Sequence, residues 1–196
     1  MKTLFSAVAL AVMLPVVSFA ADTAQVDKPA PAFSLKDETG KEHSLAQYKG
    51  KVVVLEWTNP DCPFVRRHYE ASTMQKTQAG FDAGKVVWLT VDSTASNTPE
   101  KTAAWKKTKG FSQPVLQDPS GTVGHAYGAK TTPHMYVIDT QGVLRYAGAI
   151  DDDPRGNKKD AAPTNYVKTA VDAVLSGKPV PNATTESYGC SVKYKS

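Results

Sequence analysis

The run Val52-Val53-Val54-Leu55-Glu56-Trp57 constrains this chain more than any other. It is apolar and β-branched without alternation, so the strand it forms must be covered on both faces. Helices on both sides of a sheet provide that cover, and helical crossovers are what allow parallel neighbours. The rest of the chain supplies them. Val86 to Val91 is a second continuous apolar run. Thr98-Pro99-Glu100 then opens a helix, with Thr98 as its cap and Pro99 in its first turn, and Gly110 stops it after Lys109. Val115 and Leu116 make a short strand, and Thr122 to Tyr127 a helical turn. His134 to Asp139 and Val143 to Ala147, joined by Thr140-Gln141-Gly142, read as a hairpin. An earlier hairpin is expected at Glu38-Thr39-Gly40, between Phe33–Leu35 and His43. Tyr166, Val167, Ala170, Val171, Val174 and Leu175 recur at helical spacing between Pro163 and Gly177. The expected class is α/β, a sandwich with a central mixed sheet.

The first strand breaks at Thr58-Asn59-Pro60-Asp61 and delivers Cys62 to the start of a helix that opens with Pro63 and is expected to run to about Phe81. Unpaired N–H groups at a helix N-terminus carry positive partial charge and favour a thiolate over a thiol. A cysteine so placed becomes a nucleophile near neutral pH, provided that its sulfur is also reachable.

The N-terminus reads as an export signal: Lys2, then an apolar run from Leu4 to Val17, then small residues in Ser18-Phe19-Ala20. Cleavage is expected after Ala20. The run is short for a span of about 20 residues, so no stable membrane insertion is expected after cleavage. The predicted organisation is a signal peptide at 1–20, one domain at 21–178 and an extended tail at 179–196, in the periplasm. The net charge is +4, without a basic stripe interleaved with aromatics, so no nucleic-acid partner is expected. Only two cysteines occur, Cys62 and Cys190, which in an exported protein suggests one structural bridge or a redox pair. Asp151-Asp152-Asp153, followed by Arg155, Lys158 and Lys159, reads as a solvated charged turn rather than a calcium loop.

Three further features bear on Cys62. Glu56 places a carboxyl inside an apolar strand. Burial there raises its pKa and lets it carry a proton within water-mediated reach of the thiol; the alternative is an ion pair with Lys51 or Lys85. Thr131-Thr132-Pro133 precedes a strand, where a proline fits the first position because it lacks a ladder donor. Tyr188-Gly189-Cys190 lies in the tail. Residues 178–189, fully extended, span up to ~40 Å, comparable to the diameter of such a domain. Cys190 is therefore able to reach Cys62, as a resolving thiol or as a structural staple worth ~4–5 kcal/mol; otherwise it is an unpaired tail cysteine.

Over about residues 27–176 the chain resembles the thioredoxin-fold redoxins. Lys28-Pro29-Ala30-Pro31-Ala32-Phe33-Ser34-Leu35, Gly40-Lys41 and Tyr48-Lys49-Gly50-Lys51 look like the entry of the peroxiredoxin and TlpA-like branches. Leu55-Glu56-Trp57 with Cys62 is similar to the strand and first cysteine of the Cys-x-x-Cys motif, and Glu56 falls where thioredoxins keep a buried acid. The resemblance implies a thioredoxin-like three-layer sandwich. It also implies a cis peptide at Thr132-Pro133, in a loop that binds substrate backbone beside the thiol. Val65 stands at the second cysteine's position, which excludes a dithiol cycle within the turn, and no Pro-x-x-x-Thr-x-x-Cys register fits Cys62. The closest likeness is to peroxiredoxin-like proteins keeping only the first cysteine.

The leading expectation is a periplasmic thiol-disulfide oxidoreductase or peroxiredoxin-like antioxidant protein. Cys62 is its nucleophile, Cys190 its resolving thiol and Glu56 its proton carrier. Thr132, Pro133, Asn59 and Pro63 would bind substrate. Its partners would be protein thiols and disulfides or a peroxide, together with an external periplasmic reductant. This reading calls for no metal and no cofactor. One alternative is a copper-binding redox chaperone similar to the Sco type, with Cys62, Cys190 and His134 as ligands. Another is a non-catalytic interaction module.

Overall fold

The computed structural model describes residues 23–158 and 162–195; the expected signal peptide lies outside them. The predicted hairpin is present as β1 (Ser34–Asp37) and β2 (Glu42–Ser44), antiparallel, followed by a 3-10 turn at Leu45–Tyr48. The strand β3 (Val52–Trp57) is buried at every position. It runs parallel to β4 (Val86–Asp92) and antiparallel to β7 (His134–Ile138). Beyond them lie β5 (Val115–Gln117), parallel to β4, and β8 (Leu144–Gly148), antiparallel to β7. The seven strands stand in the order β2-β1-β5-β4-β3-β7-β8, the expected central mixed sheet.

The two faces of β3 reach two separate cores because successive side chains point to opposite sides. Val52 and Val54 join Trp88, Met135, Val137 and Tyr146 on one face. The helices α1 (Pro63–Glu70), α2 (Thr73–Ala79), α3 (Pro99–Lys109) and α5 (Tyr166–Leu175) cover it through Val65, Met74, Trp105 and Val171. Val53, Leu55 and Trp57 join Leu89, Val91, Tyr136 and Ile138 on the other face, beneath Val123 and Tyr127 of α4 (Thr122–Tyr127). Each fully buried aliphatic side chain contributes about 1.5–3 kcal/mol, which is why the run without alternation folds as a strand sandwiched between two layers.

Local signals set several boundaries. Thr98 Oγ1 accepts from the Lys101 N–H at 3.3 Å at the start of α3, and Gly110 ends the helix at φ +65°. The helix expected from Pro63 to about Phe81 is in fact two. It breaks at Ala71-Ser72, where Ser72 takes a left-handed φ of 57°. No Pro or Gly marks that break.

The segment after Lys178 is extended, as expected, but fastened throughout. Ala147 donates to the Ala183 carbonyl and accepts from Thr185, both at 3.1 Å, so the tail first lies along β8 at the sheet edge. Its last strand, β9 (Cys190–Ser191), then pairs antiparallel with β6 (Thr131–Thr132), with Thr132 opposite Cys190. Val192 enters the second core and Tyr194 packs against it. Among the described residues no helix is long and apolar enough to cross a membrane.

Candidate active site

The turn after β3 aims the first thiol. The Asn59 carboxamide oxygen accepts from the Asp61 N–H at 2.9 Å and the Asn59 carbonyl accepts from the Cys62 N–H at 3.0 Å. This closes the chain sharply, and Cys62 becomes the N-cap of α1, with the exposed Pro63 in its first turn. Asn59, expected to contact substrate, is buried and its oxygen is occupied in shaping the turn.

Opposite this turn the Thr132-Pro133 peptide is cis. Thr132 is fully buried, and its carbonyl oxygen lies 3.0 Å from Cys62 Sγ. Because β9 pairs with β6, Cys190 arrives on the same spot. The two sulfurs are 2.7 Å apart although the residues are 128 positions apart in the chain. The expected trio of Cys62, Cys190 and the cis-proline loop is thus assembled. The expectation of a reachable sulfur is not met in this conformation: Cys62 is only 2% exposed, because the docked tail lies over it. Cys190 is half-buried.

The pair is electrostatically unequal. Burial pushes the Cys62 thiol up. Hydrogen bonds from the Cys190 thiol, the Thr132 side chain and the Val65 and Cys190 backbone N–H groups outweigh it, so Cys62 sits below an ordinary cysteine. Cys190 is pushed up to about 11, by burial and by the Cys62 sulfur beside it. The first proton leaves Cys62. In the fully reduced pair the Cys62 thiol donates to the Thr132 carbonyl; once ionised, Cys62 accepts from Cys190 instead.

Glu56 is fully buried, and desolvation pushes it up to about 7 against the opposing hydrogen bonds from Trp88 and Tyr69. Its Oε2 accepts from Trp88 Nε1 at 3.0 Å and from the Tyr69 hydroxyl at 3.2 Å. The lysine alternative is therefore corrected: these neutral donors hold Glu56, and neither Lys51 nor Lys85 does. None of its hydrogen bonds goes to a thiol.

His134 stays apart from the sulfurs. Its Nδ1 accepts from the Lys130 N–H at 3.3 Å and meets the Tyr136 hydroxyl at 3.1 Å, while burial and Lys130 lower it to about 4. Among the described residues no group of three or more His, Cys, Asp or Glu side chains is placed to hold a metal ion. The copper ligand set of Cys62, Cys190 and His134 is not brought together.

A cluster that the sequence did not signal stands beside the thiols. Asp151 is buried, not a solvated turn residue as expected, and accepts the Tyr188 hydroxyl proton. His68, also buried, lies with Nε2 3.0 Å from the same hydroxyl and Nδ1 4.0 Å from Asp151. His68, Asp151 and Tyr188 lie far apart in the chain, 120 positions between His68 and Tyr188 and 37 between Asp151 and Tyr188, so only the docking of the tail makes them neighbours.

A family model described as AhpC/TSA matches residues 26–147, which include β3, the Cys62 turn and the cis-proline loop. The chain belongs to the AhpC/TSA family. A Mycobacterium tuberculosis protein whose name provisionally assigns it to the peroxiredoxins is 33% identical over 128 residues, 63% of this chain and 76% of that protein. Among solved structures, the hypothetical protein SMc02350 of Sinorhizobium meliloti 1021 is 31% identical with a TM-score of 0.76, covering 89% of this chain and 97% of its own. An uncharacterised conserved protein of Geobacillus kaustophilus is 27% identical with a TM-score of 0.75, covering 89% and 94%. The AhpC/TSA match ends at residue 147, so Cys190 and Tyr188 lie beyond the part of the chain that the family model describes.

Proposed function

We propose that this AhpC/TSA-family chain is a periplasmic thiol-dependent peroxidase in which Cys62 is oxidised and Cys190 resolves it. The observation that carries the reading is the 2.7 Å approach of two unequal thiols across the cis-proline loop. In the first step the Cys62 thiolate attacks the terminal oxygen of a hydroperoxide. The O–O bond breaks, the alcohol or water leaves with a proton, and Cys62 becomes a sulfenic acid. In the second step Cys190 attacks the Cys62 sulfur, water leaves, and a Cys62–Cys190 disulfide forms. An external dithiol then returns both to thiols by exchange, itself becoming a disulfide.

The burial of Cys62 means that the first step needs the tail to lift and the second needs it docked. The oxidant favoured is small, because the backbone edge at Thr132 already carries the chain's own strand. A protein disulfide would have to displace that strand to bind there. The signal-like Lys2 to Ala20 segment supports export, and a compartment that oxidises thiols suits a reducible pair.

The test is peroxide treatment of the reduced protein, followed by thiol counting and mass mapping. The expected product is a Cys62–Cys190 peptide pair that forms faster than Cys62 is captured by an added alkylating reagent and that a dithiol reverses. Two free thiols persisting after excess peroxide would refute the reading.

A further inference from the structure

The tail reaches the active site through one side chain in particular. Tyr188 sits two residues before Cys190 and turns its ring toward α1, against Phe64 at 6.2 Å and His68 at 6.0 Å between ring centroids. The Arg67 guanidinium lies 5.6 Å from the Phe64 ring and 6.0 Å from the Tyr188 ring. Arg67 also donates to the Pro154 and Asp153 carbonyls, at 3.0 and 3.1 Å, tying the loop after β8 to α1. That loop presents Asp151. A phenol has one proton, and here it goes to Asp151, so His68 Nε2–H is the donor to the Tyr188 oxygen. Three separate parts of the chain therefore meet on one hydroxyl: α1, the loop after β8, and the tail. The first of these also carries Cys62 at its cap.

Cys190 is also held by the two-residue pairing of β9 with β6, which is weak for so short a strand pair, and by Val192 and Tyr194 at the second core. These follow Cys190 or coincide with it, so Tyr188 is the nearest side-chain anchor before it. We infer that Tyr188, gripped by Asp151 and His68, is the positioning residue of the thiol pair: it holds Cys190 over Cys62 in the reduced protein and so favours internal bridge formation over capture of Cys62 by an outside thiol. The inference rests on the redox-pair reading above and adds to it the device that makes the second thiol local. Well-oriented intramolecular groups reach effective concentrations far above those of flexibly tethered ones, which are in the millimolar range. Loosening the anchor lowers that concentration directly.

The measurement is the equilibrium of the full-length protein in glutathione redox buffers, where two protein thiols and one glutathione disulfide exchange for the Cys62–Cys190 bridge and two glutathione thiols. Tyr188→Phe keeps the ring against Phe64 and Arg67 and removes only the hydroxyl. The expected result is a bridge equilibrium constant about tenfold lower than that of the wild type, or about 1.4 kcal/mol, with more glutathione found on Cys62. His68→Gln, changing the other partner of the hydroxyl, should shift the same constant in the same direction. An unchanged constant in both variants would overturn the positioning role while leaving the redox pair in place. A wild type that forms no bridge at any glutathione ratio would overturn the redox-pair reading itself, and the positioning role with it.

Discussion

The two thiols reach the same point by opposite routes. Cys62 is placed by its immediate neighbours: a buried strand ends, Asn59 closes a turn, and Pro63 starts a helix. Cys190 is placed by contacts across the fold, since its position depends on Thr132 and on the distant partners, Asp151 and His68, that hold the neighbouring Tyr188. The comparison teaches that a nucleophile can be built from a few consecutive residues, whereas its resolving partner needs the whole fold. It also assigns different vulnerabilities, Cys62 to local changes and Cys190 to changes anywhere along the docked tail.

The comparison breaks most plainly if the two cysteines prove interchangeable. Cys62→Ser should reduce peroxide consumption to the uncatalysed rate, measured with a dithiol as reductant. Cys190→Ser should still consume peroxide, with Cys62 appearing as a sulfenic acid or a mixed disulfide. Equal losses in both variants would show that the roles are not divided.

A second measurement sharpens the local side. Glu56 holds its proton to about 7 in the folded chain, against 4.5 for the free group. Folding therefore takes up a proton between those values. The stability linked to Glu56 is fully present below about pH 4.5 and is lost as the pH rises through about 7. Between pH 5 and pH 8 the wild type should lose about 2–3 kcal/mol more than Glu56→Gln in urea unfolding. Parallel pH profiles would mean that this carboxyl is not protonated in the fold.

A third tests the distant side. A Cβ on Gly189 would lie 2.1 Å from the Thr132 carbonyl oxygen, at a backbone φ of +137°. In a Cys190→Ser background, Gly189→Ala should unseat the tail at a cost of about 1–3 kcal/mol. Iodoacetamide should then reach Cys62 about tenfold faster. An unchanged rate would mean that the tail does not cover the sulfur in solution.

The smallest effect belongs to neither region. Thr98→Ala removes the cap of α3 and should cost about 1 kcal/mol in thermal or urea unfolding. The bridge equilibrium should stay as in the wild type.

The same division explains what could be read from the residues alone. Strand β3, the caps of α3 and the placement of Cys62 follow from neighbours in the chain and were legible. The break at Ala71-Ser72 was not, because the left-handed residue there is a serine and no Pro or Gly announces it. Asp151 looked solvated because its charged neighbours are, while the hydroxyl that buries it lies 37 positions away. The cis peptide at Thr132-Pro133 was expected only through the family likeness. The docking of the tail depends on paired backbone edges, which carry no residue signature of their own.

Those paired edges matter beyond redox chemistry. The outer strand β8 would otherwise present a row of unpaired amide and carbonyl groups, and the segment around Ala183 to Thr185 covers part of it. An uncovered strand of this kind recruits strands from other molecules. A chain shortened at Lys178 would therefore lose Cys190 and uncover the β8 edge in one stroke, and is expected to self-associate more readily than the full-length protein.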